Sequence, residues 1–105
     1  MNKLTMIQQQ QIYQTISFNN KKIVLLDVLG VKNLSKQELN ANIYCIDNDF
    51  NIIWQISVAD TKFDIDSFTS IKKTEEGKIR TRRFSGFEYE IDPEIGKAKI
   101  TGWNK

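Results

Sequence analysis

The strongest constraint on what this chain can fold into is a phrase it uses twice. Tyr44-Cys45-Ile46-Asp47 returns 45 positions later, counted from Asp47 to Asp92, as Tyr89-Glu90-Ile91-Asp92. Each copy alternates, ends in aspartate, passes through turn residues and enters a second apolar run. The first continues through Asn48-Asp49-Phe50-Asn51 into Ile52-Ile53-Trp54-Gln55-Ile56, the second through Pro93-Glu94-Ile95-Gly96 into Lys97-Ala98-Lys99-Ile100. Strand side chains alternate between two faces, so two period-two runs around a compact turn read as a β-hairpin. Two hairpins of one design predict an antiparallel, all-β body.

The rest of the chain extends the pattern. Thr15 to Phe18 and Lys21 to Val28 flank Asn19-Asn20, a pair that tolerates positive φ, and predict a first hairpin. Residues 1–14 are polar with scattered apolar positions, compatible with a short helix, a strand lead-in or partial disorder. Ser35-Lys36-Gln37-Glu38 has capping-box spacing and predicts one helical turn, with Asn40 as its stop. Val58 to Ser67 reads as an acidic loop pinned to the core by Phe63 and Ile65. Further strands are expected over Phe68 to Lys73, Lys78 to Phe84, Phe87 to Asp92 and Lys97 to Trp103. The sum is seven or eight short strands in an antiparallel meander with at most one short helix. Either a small two-sheet sandwich or one strongly twisted sheet fits, as a single domain over residues 1–105.

Composition excludes more than it suggests. The 105 residues include no histidine and one cysteine. That removes histidine-based acid–base catalysis, the usual zinc sites and an internal disulfide. Cys45, inside an apolar strand, reads as a buried small hydrophobe in a reducing compartment. Asp47-Asn48-Asp49-Phe50-Asn51 begins like a calcium loop, but Ile52 stands where the loop needs glycine and Val58 where it needs glutamate. The acids lie in turns or on strand faces rather than paired in a dry cleft. No enzyme, metal site or cofactor is therefore expected. The longest apolar run, Ile23-Val24-Leu25-Leu26, is too short to span a bilayer, and no secretory signal is visible, which predicts a cytoplasmic protein.

Charge is segregated along the chain. Residues 41–71 carry Lys62 against five aspartates, whereas residues 1–40 and 72–105 each carry a net charge of +3. In the basic third segment, alternation puts Lys78, Arg80 and Arg82 on one face of a strand, and Ile79, Thr81 and Arg83 on the other. With Phe84, Phe87 and Tyr89 nearby, the first face is a candidate basic-aromatic platform for single-stranded nucleic acid.

Two resemblances add to this reading. The second hairpin, Tyr89 to Lys97, resembles the strand-Asp-turn-Gly-Lys signature of blades in quinoprotein-type β-propellers, although a chain this short cannot supply a full propeller and no quinone cofactor is implied. The order of the Trp54-Gln55-Ile56 hairpin end, Gly77-Lys78 and Phe84-Ser85-Gly86-Phe87 resembles small bacterial immunity proteins encoded beside secreted or contact-delivered toxins. That resemblance covers roughly residues 42–103. It implies a non-catalytic domain that binds a cognate toxin domain and occludes its active site. For a nuclease toxin with a basic cleft, the complementary residues would be Asp47, Asp49, Asp60, Asp64 and Asp66. Phe63 would then be either the aromatic anchor or a core plug beneath the loop. The alternative is a nucleic-acid-binding module built on Lys78, Arg80, Arg82, Phe84 and Phe87.

Overall fold

Alternation and turn chemistry divide the chain into two successive meanders. The computed structural model describes residues 2–58 and 64–103. In order it holds α1 (Met6–Gln10), β1 (Ile12–Phe18), β2 (Lys21–Leu26), α2 (Lys36–Asn40), β3 (Ile43–Ile46), β4 (Ile52–Gln55), β5 (Phe68–Lys73), β6 (Ile79–Arg83), β7 (Phe87–Ile91) and β8 (Ala98–Trp103). These eight strands form two antiparallel four-stranded sheets, ordered β1-β2-β3-β4 and β5-β6-β7-β8. The all-β expectation holds, with two five-residue helices attached.

The repeated phrase occupies the same place in both sheets, as the third strand leading into the fourth. Its aspartate does the same work twice. Asp47 Oδ1 accepts from the Asp49 amide at 2.8 Å, and Asp92 Oδ1 from the Glu94 amide at 3.0 Å. The second turn is one residue longer: the Asp47 amide donates to Asn51 O, whereas the Asp92 amide donates to Lys97 O. Positive φ therefore falls on Phe50 in the first copy and on Gly96 in the second. Four antiparallel strands in sequence order are the layout of one propeller blade. Here two such units pack on each other instead of ringing a channel.

Strand composition explains the layering. β2 and β3 are apolar on both faces and are buried on both, apart from the first two residues of β2. Ile23, Leu25, Ile43, Cys45 and Trp54 join Phe68, Ile71, Ile79, Tyr89 and Ile91 in a core shared by the two sheets. On the opposite face of the first sheet, Val24, Leu26, Tyr44 and Ile46 pack with Leu4, Val28, Leu34, Leu39 and Phe50. Those covering residues come from the N-terminal segment, the β2–β3 connection and the β3–β4 turn.

Local signals set the connections. Asn19 and Asn20 both take positive φ in the β1–β2 turn, as that turn type requires. Ser35 Oγ accepts from the Glu38 amide while Glu38 accepts from the Ser35 amide, completing the expected box. The same reciprocal pair joins Thr5 and Gln8 and starts α1, a signal of identical spacing that resolves the open choice over residues 1–14. The edges of the sandwich are stitched to each other. Gln14 of β1 accepts from the Ile71 amide of β5 at 2.7 Å. On the other side Ser57, past β4, donates to Gly96 O and accepts from the Ala98 amide.

Candidate functional site

The segment entering the second sheet is held by side-chain amides. Asn40 and Asn42 flank Ala41 and reach the same incoming chain. Asn40 donates to Asp64 O at 3.0 Å and accepts from the Asp66 amide, and Asn42 accepts from the Phe68 amide and donates to Phe68 O, both at 2.9 Å. Asn42 also donates to Leu26 O at 2.8 Å. Two asparagines thus copy the donor–acceptor pattern of a strand ladder. This corrects the expectation that Ile65 pins the loop: Ile65 is 62% exposed. Phe63 lies outside the described residues.

Arg83 crosses beneath this clasp. It ends β6 on the inward face with Ile79 and Thr81, and is 2% exposed. Its Nη1 donates to Asn40 O and Asp66 O, and its Nε donates to the Tyr89 hydroxyl at 3.1 Å. The guanidinium carbon lies 4.5 Å from the Phe68 ring centroid and 5.4 Å from that of Tyr89. A charge this buried is tolerable because the hydrogen bonds and aromatic faces replace water.

Asp66, expected on a partner-binding face, is corrected to a buried organiser at 1% exposure. Its two carboxylate oxygens accept from the Ser85 amide at 2.8 Å and the Ser85 hydroxyl at 2.7 Å. Ser85 O in turn accepts from Trp103 Nε1 at 3.2 Å. A buried carboxylate therefore fixes the β6–β7 turn, and the turn fixes the end of β8. Around this chain of bonds lie Phe84, 74% exposed, Trp103, 59% exposed, and Ile65. Phe87 packs against Trp103 with ring centroids 6.4 Å apart. The exposed Asp64 stands beside Ile65 at the same end.

Among the described residues, the acids singled out from sequence, Asp47, Asp49, Asp64 and Asp66, do not gather. Asp47 and Asp49 lie beyond one end of β3, while Asn42, which grips Phe68, lies just before the other, about 16 Å away at strand rise. Asp47 is occupied with its own turn, accepting from Asn51 through both its amide and its side chain. The Asn51 side-chain bond, more than the nearby Lys3, holds the Asp47 carboxyl below the usual range. Asp60 lies outside the described residues.

The basic stripe lies on the outer face of the second sheet, set against acids. Arg80 pairs across to Glu90 and Arg82 to Glu88, and Lys78 Nζ approaches Glu90 at 3.8 Å. Across all four strands one row reads Lys72, Arg80, Glu90, Lys99. Phe84 is in the turn, and Phe87 packs against the core rather than on this face. The aromatics and the cations expected to form one platform are therefore separated.

Burial raises the pKa of the Cys45 thiol, with Lys21 opposing, and raises that of Tyr44, with Glu38 adding to it. Among the described residues, no three His, Cys, Asp or Glu side chains group as metal ligands. No helix among them is long and apolar enough to cross a membrane.

The chain belongs to a family described as a domain of unknown function, DUF7957, which it matches over residues 2–103. Neither a curated protein nor a solved structure matches it.

Proposed function

For this member of a family of unknown function, we propose a non-catalytic binding domain of the immunity type, acting in the cytoplasm to neutralise a cognate toxin domain by covering its active site. The observation that carries the reading is the aromatic end of the second sheet. Phe84 and Trp103 are exposed, yet the turn and strand that bear them are anchored from below by Asp66 and Ser85. Exposed aromatics on a fixed backbone lose little entropy on docking, and such residues dominate the binding energy of protein interfaces. Asp64 beside them favours a partner with a cationic rim, such as a nuclease cleft. Asp47 and Asp49 drop out of this surface because they sit at the far end of β3.

Co-expression with the toxin-domain product of the adjacent reading frame tests the proposal. The chain is expected to restore growth and to co-purify with the toxin. Phe84→Ala and Trp103→Ala together are expected to weaken the complex at least about thirtyfold, the effect of losing one hot-spot residue. Failure of the wild-type chain to rescue growth removes the toxin reading. Rescue undiminished in the double variant removes this surface from it.

A further inference from the structure

We propose that the cleft between α2 and the chain just past β4 binds a small oxyanion ligand, a carboxylate or phosphate group, with Arg83 as its floor. The cleft encloses about 470 Å³, within the range of small-molecule sites. Ala41 and Ile56 give it apolar surface, Gln37 and Gln55 give it amides, and Lys36 and Ser57 are exposed at its rim. Arg83 reaches it from inside the sandwich.

The guanidinium is the argument. Its Nε and Nη1 are committed to Tyr89, Asn40 and Asp66. Nη2 makes no such bond, and among the described residues no fully buried side-chain nitrogen or oxygen lacks a partner. Nη2 is therefore the guanidinium nitrogen left to serve the cleft that Arg83 lines. The acceptors on the other two nitrogens are neutral: a phenol oxygen and two peptide carbonyls. They fix the guanidinium through neutral oxygens and leave Nη2 uncommitted. Asp66 gives Arg83 its backbone oxygen, while its carboxylate accepts from Ser85.

Among the described residues no carboxylate lines the cleft, and Lys36 adds a second cation. A buried guanidinium already desolvated and held by the fold costs little to reorganise when an anion arrives. With Nε and Nη1 occupied, the anion binds end-on through Nη2 rather than across the fork. This admits a single carboxylate or phosphate oxygen. The inference is independent of the toxin reading, since the cleft residues are not those of the aromatic end.

The test is a titration of the full, ¹⁵N-labelled chain with sodium acetate, sodium succinate and inorganic phosphate. Each is compared with sodium chloride at matched ionic strength. Saturable shifts are expected at the Arg83 Nε–H and at the amides of Ile56, Ser57 and Val58. Saturation by acetate and succinate alone identifies a carboxylate site, and saturation by phosphate alone a phosphate site. Lys36→Glu is expected to weaken binding about fivefold, the scale of a rim charge. Ser57→Phe, which leaves the backbone pairing to Gly96 and Ala98 in place, is expected to abolish it by filling the mouth. Both positions are exposed, so both variants keep the fold. Shifts that follow ionic strength alone, or that persist unchanged in both variants, overturn the proposal.

Discussion

Replacing Gly96 by alanine should be far more damaging than the same change at Gly77, and the difference measures how tightly the two copies of the repeated hairpin are locked together. Both glycines have positive φ, +77° at Gly96 and +83° at Gly77. An alanine at either position carries a left-handed strain of about 1–2 kcal/mol. At Gly77 a new methyl group meets nothing, so the strain is the whole cost. At Gly96 it would land inside the Trp54 indole. Trp54 has little freedom to retreat, because it is buried in the shared core and its Nε1 donates to Pro93 O at 3.0 Å. Overpacking of this kind costs about 1–3 kcal/mol, and loss of the indole hydrogen bond about 1 kcal/mol. The expected totals are about 1–2 kcal/mol for Gly77→Ala and about 3–6 kcal/mol for Gly96→Ala. The latter is a large share of the stability of an ordinary domain. Urea unfolding monitored by tryptophan fluorescence reads both, with the midpoint shifting at constant slope. Equal losses in the two variants would refute the reasoning, because they would mean that the second turn does not bear on Trp54.

Other consequences follow from the clasp, the first turn and the buried thiol. Asn42→Ala removes three hydrogen bonds and strands Leu26 O and both backbone groups of Phe68 in the core. The expected loss is at least about 3 kcal/mol, against less than about 0.5 kcal/mol for the exposed control Thr101→Ala, by denaturant unfolding. Asp47 has a folded-state pKa below its unfolded value, so its stabilisation is present above the unfolded value and is lost as pH falls through the folded one. The stability gap between wild type and Asp47→Asn should therefore be widest near neutrality and close below about pH 4. A gap independent of pH would contradict that assignment. Cys45 is buried with a raised pKa, so its reaction with a thiol reagent should be slow in the native state and track unfolding as denaturant is added. Prompt labelling of the folded chain would show that the strand opens.

The sequence was most legible where a structural choice is made by neighbouring residues. Ser35-x-x-Glu38 sets a helix start because both hydrogen bonds close within one turn. Asn19-Asn20 sets a hairpin because its conformation is local. Thr5-x-x-Gln8 carries the same information as Ser35-x-x-Glu38 and decides a region that composition leaves open. The candidate sites were less legible. Strand parity places Arg83 with Ile79 and Thr81, which is the one local hint of its burial. Nothing local says that Phe68, Tyr89 and carbonyls at positions 40 and 66 will receive it. Asp66 looks like its acidic neighbours in sequence, yet it is buried and meets Ser85, which lies 19 positions away.

Alternation, turn chemistry and the repeated Tyr-x-Ile-Asp phrase determined by themselves that this chain is an antiparallel β-protein with matched hairpins. Each of those features acts over a few residues, where side-chain period and backbone conformation leave little choice. Tertiary structure alone decided that the two hairpins end two separate sheets, that Asn40 and Asn42 bind a segment 24 to 26 positions onward, and that an arginine lies in the core while aromatics stand outside. Those outcomes depend on which distant groups share the low-dielectric interior, where an unpaired polar group is costly and a paired one is retained. That partnership exists only once the sheets have packed.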